Sequence, residues 1–222
     1  SLDSDENVIL VNFSATYINK VTPEGEVSVV CDVGGTSNGG ITDGKGHVFL
    51  ANTENHKILM VELATGKTLR FWDRSQNGET LRGGNDFAWH PDGRLYFTDP
   101  QGSQNHPIGN VNYIDLDGKV KLFATGFNYC NGITFDKDYK NLYIGETNAE
   151  VLWRFEVNDD GTAGTKNFFF YMGDEGIWPD GLKCDTENHI WLANWSTTEL
   201  WRISPEGELV YKITMPGTAH PT

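Results

Sequence analysis

The chain has 222 residues and a formal net charge of −14, with 25 Gly, 12 Phe, 8 Tyr and 7 Trp. Many glycines beside many aromatics favour short strands and tight turns over helices. The acidic balance offers no basic stripe for a nucleic-acid backbone, and no run approaches the ~20 apolar residues of a membrane-crossing helix.

In chain order, one strand pattern recurs five times. It appears at Val8-Ile9-Leu10-Val11, Val48-Phe49-Leu50-Ala51, Leu95-Tyr96-Phe97-Thr98, Leu142-Tyr143-Ile144-Gly145 and Ile190-Trp191-Leu192-Ala193. Successive starts lie 40, 47, 47 and 48 residues apart. Each run is too short for a helix and apolar on both faces, as a strand covered on both sides must be. Turn residues precede several of them, at Asp43-Gly44-Lys45-Gly46, His90-Pro91-Asp92-Gly93 and Asp185-Thr186-Glu187-Asn188. A third strand follows each run, then a turn such as Pro23-Glu24-Gly25, Asp117-Gly118 or Pro205-Glu206-Gly207, then a fourth strand. Four antiparallel strands repeated at this period describe a blade of a β-propeller, an all-β fold. The whole of 1–222 reads as one propeller domain with no helix longer than a turn.

The innermost strand of each unit opens at Asn38-Gly39, Asn85-Asp86, Asn131-Gly132 and Asp180-Gly181, with spacings of 47, 46 and 49 residues. Asn-Gly and Asp-Gly are common turn formers. Their recurrence in one register also predicts side-chain oxygens gathered around one central channel. Both ends of the chain read as cut. The first repeat has only seven residues ahead of its second strand, and Pro216-Gly217-Thr218-Ala219-His220-Pro221-Thr222 occupies the approach to a further inner strand. About five blades are expected here, the first incomplete and a closing blade absent.

The ordered set Asn85-Asp86, Pro91-Asp92-Gly93, Thr98-Asp99-Pro100, Asn131-Gly132-Ile133-Thr134-Phe135 and Pro179-Asp180-Gly181 resembles the gluconolactonase, regucalcin and senescence-marker superfamily of six-bladed propellers, most of all its bacterial gluconolactonase-like members. The likeness covers essentially the whole chain. It implies a divalent cation on the axis, held by the residues matching Asn131 and Asp180, and a substrate contact at Asn85. It also implies a third ligand, a Glu in a Glu-Gly-Pro segment expected just before Ser1. Hard cations take such carboxylate and amide oxygens, Ca²⁺ first, with Mg²⁺, Mn²⁺ and Zn²⁺ as alternatives. The implied reaction is hydrolysis of a sugar-type lactone, with Asp180 also accepting a proton from the attacking water. Two other readings stay open: an esterase acting on aryl or organophosphate-like esters, and a non-catalytic binding propeller of the NHL type.

Other candidates fall away on context. His47, His90 and His189 occupy equivalent turns and read as solvated, while Ser103 and Ser196 lack a nucleophile elbow. His106 could line the channel mouth, and Trp178 and Trp195 could stack on a substrate ring or pack between blades. Cys31, Cys130 and Cys184 have no metal-ligand spacing and read as reduced thiols. No basic stretch leads an apolar run, so a cytoplasmic protein is expected, or a periplasmic one whose signal has been removed. A small-molecule lactone or ester is the expected partner. The polar residues ending the second strands, Asn52, Asp99, Glu146 and Asn194, have no role on sequence grounds.

Overall fold

The computed structural model describes residues 1–173, 176–217 and 221. The expected approach to a further inner strand falls partly on 218–220 and 222, which lie outside the described residues. The chain separates into two compact units, Ser1–Phe87 and Ala88–Thr222.

The first unit holds two antiparallel sheets. One is three-stranded, β1 (Val8–Leu10), β2 (Tyr17–Val21) and β3 (Val27–Asp32). The other is four-stranded, β4 (Gly40–Thr42), β5 (His47–Asn52), β6 (Lys57–Glu62) and β7 (Thr68–Trp72). In both, sequence neighbours are sheet neighbours, the cheapest topology for hairpin-linked strands. Val48, Phe49, Leu50 and Ala51 are all buried, so β5 is covered on both faces as its continuous apolar run requires. Ile9 and Ile18 of the three-stranded sheet join Val48, Leu50, Leu59 and Val61 in one cluster. Each such side chain stabilises the fold by about 1.5–3 kcal/mol. The outer strand β7 exposes Leu69 and Phe71; Lys57 lies over the Phe71 ring at 5.0 Å and Arg70 over Trp72 at 4.7 Å, shielding an otherwise adhesive edge.

The second unit repeats the four-stranded meander. Strand β8 (Phe87–Trp89) opens at the boundary, followed by β9 (Leu95–Asp99), β10 (Gly109–Ile114) and β11 (Val120–Phe127). The next sheet is β12 (Cys130–Phe135), β13 (Asn141–Glu146), β14 (Val151–Val157) and β15 (Ala163–Tyr171). The last is β16 (Pro179–Cys184), β17 (Ile190–Asn194), β18 (Glu199–Ile203) and β19 (Leu209–Thr214). Among the described residues the one helical element is the 3₁₀ turn Thr147–Ala149, and no helix is long and apolar enough to cross a membrane.

Aromatic packing joins these sheets. Tyr96 stacks on Tyr113 at 5.1 Å, meets Phe123 and Phe135 edge-on, and its hydroxyl donates to the Gly161 carbonyl at 2.8 Å in the β14–β15 turn. Burial raises the Tyr96 phenol well above its usual range, so this donor stays protonated. In the β10–β11 turn, Asp115 receives Arg94 Nε at 2.9 Å and a bond from Lys121. Partial burial works against its ionisation, but these two cations prevail and hold the carboxyl down at about 2.

Candidate functional site

The Asn-Gly and Asp-Gly pairs turn out to be strand irregularities rather than turns. In β12, Cys130 pairs with Glu146 and Ile133 with Ile144, three residues advancing against two. In β16, Pro179 pairs with Asn194 and Leu182 with Leu192, with the same slip. Asn131-Gly132 and Asp180-Gly181 therefore sit in β-bulges, which re-aim a side chain out of the regular alternation. In the first unit, Asn38 N donates to Ala51 O while Ala51 N donates to Gly39 O, so two residues again oppose one.

The glycines serve close approach. Neither Gly39 nor Gly132 has a left-handed backbone. A methyl group added at Gly132 would fall 2.1 Å from the Asp180 carbonyl oxygen and 2.7 Å from Leu182 N. Added at Gly39, it would fall 2.1 Å from the Asn85 carbonyl oxygen. The glycine after Asn131 thus seats the backbone of Asp180, and the two residues are brought together on adjacent first strands. Asn85, buried, belongs to the first unit, where Gly39 packs on it.

Around Asn131 the hydrogen bonds leave one atom over. Its carbonyl accepts from Thr98 Oγ1 at 2.7 Å, and its Nδ2 donates to Thr147 Oγ1 at 3.3 Å. Thr147 Oγ1 in turn donates to the Pro179 carbonyl at 2.7 Å, one residue before Asp180. Asn131 Oδ1 is buried and accepts no hydrogen bond from the described residues. An oxygen left this way is costly unless something else engages it. The Asp180 carboxylate, half-buried on the adjacent strand, adds a second hard oxygen donor. This donor set fits Ca²⁺ or Mg²⁺, whose remaining positions water or substrate can fill.

In each unit, strand-end residues to which the sequence assigned no role make defined hydrogen bonds. Glu146, 6% exposed, accepts from Asn128 N and from Trp153 Nε1 at 2.6 Å. Asn52 donates to Gly35 O at 3.0 Å, Asn112 Nδ2 donates to Asp99 at 3.4 Å, and Asn194 Oδ1 accepts from Ser196. Asn52, Glu146 and Asn194 thus each bond a loop beside their sheets, while Asp99 bonds within its own sheet. Ser103 is fully buried, bonds the Pro100 carbonyl and accepts Tyr129 N at 3.1 Å; it anchors a loop and is no nucleophile. His106 is exposed in that loop.

Trp178 and Trp195 are 44% and 45% exposed, so neither is packed away between sheets. Trp195 N donates to Trp178 O at 3.0 Å, which sets both loops beside the start of β16. Cys130 is buried against Asn110 O, and burial raises its thiol far above the usual range, leaving an inert packed sulfur. All three cysteines are free.

A second cluster lies in the β16–β17 turn, where ligand atoms of Asp185, Glu187 and His189 come within 4.8 Å of one another. Arg202 already fills it, donating to Asp185 at 2.7 Å and to Glu187, and Trp191 Nε1 adds a bond to Asp185 at 3.0 Å. Partial burial opposes ionisation of Asp185, yet Arg202 and the turn amides drive its carboxyl well below the usual range. The turn histidines are less solvated than expected: His47 and His90 lie 2.8 and 2.9 Å from Asp43 and Asp92.

Sequential antiparallel meanders of three or four strands, two of them opening on bulged, polar first strands, define a β-propeller. Solved structures bear this out. A gluconolactonase from Xanthomonas campestris matches 97% of this chain and 74% of its own, with a TM-score of 0.85 at 22% identity. The calcium-binding protein regucalcin from Agrobacterium tumefaciens matches 98% and 74%, with a TM-score of 0.85 at 20% identity. At these identities the likeness is one of fold. The SMP-30/gluconolactonase/LRE-like (SGL) family model matches residues 2–222, and the chain belongs to that family. Lactonase drp35 of Staphylococcus epidermidis is 30% identical over 137 residues, 60% of this chain and 42% of that protein. The match therefore spans about two fifths of that relative's length.

Proposed function

We propose that the chain carries the cation-binding centre of a lactonase that opens a sugar-type lactone with water. The observation behind this reading is the buried Asn131 Oδ1, which has no hydrogen-bond donor among the described residues and lies on the strand beside Asp180. Family membership, a lactonase relative, and a gluconolactonase and a calcium-binding protein among the fold neighbours point the same way.

Asn131 and Asp180 would hold the ion, Ca²⁺ in the first instance. When bound, the cation supplies Lewis acidity for the lactone carbonyl. The chain's own work is then binding, orientation and proton transfer. An Asp180 carboxylate oxygen takes the proton of the attacking water as its oxygen adds to the carbonyl carbon, and the proton passes on to the departing ring oxygen. The exposed indoles of Trp178 and Trp195 offer apolar faces for a sugar ring. Asn85 is assigned to a substrate hydroxyl on the strength of the family resemblance. A truncated amide there should raise KM more than it lowers kcat.

Calcium titration coupled to hydrolysis of an aldonolactone tests the reading, with aryl esters as a parallel panel. Asp180→Ala should lose both ion binding and turnover. Wild-type binding and turnover in that variant would sink the proposal, and faster ester than lactone cleavage would move the substrate class.

A further inference from the structure

We infer that Thr147 is a positioning residue that sets both cation ligands through one hydroxyl; this rests on the cation reading above. Thr147 Oγ1 accepts from Asn131 Nδ2 at 3.3 Å and donates to Pro179 O at 2.7 Å. A carbonyl can only accept, so the single hydroxyl proton is committed to Pro179. What Thr147 presents to Asn131 is therefore a lone pair, and only the amide nitrogen can meet it. Turning the amide over would set Oδ1 against that lone pair. Thr147 thus dictates that Oδ1, rather than Nδ2, faces the side where no donor lies among the described residues. The same hydroxyl holds the peptide that leads into Asp180.

The hydroxyl sits on a stiff support. Thr147 is 7% exposed and opens the 3₁₀ turn, and its N donates to Tyr129 O at 2.9 Å. Glu146, just before it, is clamped between Asn128 N and Trp153 Nε1.

A sister latch in the first unit separates fold from function. Thr53 follows the strand-end Asn52 as Thr147 follows Glu146. Its hydroxyl reaches Gly84 O at 2.8 Å, one residue before Asn85, as Thr147 reaches the residue before Asp180. The other contact of Thr53 Oγ1 is the Ala51 carbonyl at 3.1 Å, not a side-chain amide. The latch to the following first strand is thus repeated, whereas orientation of a ligand amide belongs to Thr147.

The test is isothermal calcium titration, with the melting temperature of the calcium-free protein, on wild type, Thr147→Val, Thr147→Ser and Thr53→Val. Thr147→Val keeps the shape and removes the hydroxyl, and should weaken calcium binding about 10–100-fold, the usual cost of losing a group that orients a ligand. Thr147→Ser should stay within about threefold of wild type, since the hydrogen-bond inventory is retained. Thr53→Val should lower the melting temperature and leave calcium affinity unchanged. Unchanged affinity in Thr147→Val, or an equal loss in Thr53→Val, would overturn the assignment while leaving the cation reading intact. If Thr147→Val does not fold, Thr147→Cys, with its weaker hydrogen bonding, serves instead, and unchanged affinity there overturns it too. No calcium binding by wild type would remove the cation reading itself, and the role of Thr147 with it.

Discussion

At Asn131 and Asp180 the polar side chains come from the openings of two adjacent strands, β12 and β16, whereas Asp185, Glu187 and His189 come from a single turn. The turn cluster has more acid, yet its charge is answered by Arg202 and Trp191. The strand cluster has a single carboxylate, and an amide oxygen that nothing in the described protein answers. The difference teaches that acidity alone does not single out the stronger candidate for a cation; an unanswered oxygen in a fixed place does. In the turn the acid is answered by a guanidinium, while the bulge in buried β12 holds Asn131 Oδ1 where no hydrogen bond from the described residues meets it.

The contrast breaks most completely at Gly132. Gly132→Ala puts a methyl group 2.1 Å from the Asp180 carbonyl, against backbone that cannot rotate away. We expect destabilisation of about 3 kcal/mol or more in denaturant unfolding, the upper end of overpacking effects. Next in size is Asn131→Leu, which removes the unanswered oxygen at similar volume. Calcium affinity should fall by more than about 100-fold, beyond the cost of disturbing a supporting group, with the melting temperature little changed. Titration calorimetry beside thermal melting would separate the two effects.

Arg202→Met should push the turn cluster toward the character of the other. Without the guanidinium, Asp185 and Glu187 stand close together uncompensated, so the calcium-free protein should melt a few degrees lower. Added calcium should restore the loss only at millimolar concentration, the range of unspecialised oxygen sites. No calcium rescue would show that the turn lacks cation-site geometry altogether.

The smallest effect concerns acid stability. The Asp115 carboxyl lies at about 2 in the folded protein, against an ordinary 3.8. A depressed carboxylate contributes stability above its unfolded value and loses it as pH falls through the folded one. The contribution of Asp115 should therefore be intact above pH ~4 and disappear toward pH ~2. Asp115→Asn should flatten the melting-temperature profile in that window and leave it parallel to wild type at neutral pH. The site, which does not touch Asp115, should keep its calcium affinity.

How much of this was legible in the chain depends on the distance over which each feature is decided. The apolar runs from Val48, Leu95, Leu142 and Ile190 announce buried strands because alternation and burial act on neighbours. The turn residues between them set hairpins, and hairpins in series leave little topological choice. Asn131 and Asp180 stood out for the same reason, as polar residues in register at the start of those strands. Their glycines read as turn formers because Asn-Gly is ambiguous until its partner strand is known.

Local sequence determined the strands, their order and the family likeness. Tertiary structure alone decided that Asn131-Gly132 is a bulge, because a bulge is defined by the residue count on β13. It alone decided that Gly132 exists for the Asp180 carbonyl, a contact between strands nearly fifty residues apart. It also showed Trp178 and Trp195 exposed, and set the Thr147 hydroxyl between Asn131 Nδ2 and Pro179 O, sixteen residues beyond Asn131. A threonine after a strand carries no mark of its own. Its meaning lies in which carbonyl its proton meets and which amide its lone pair leaves room for.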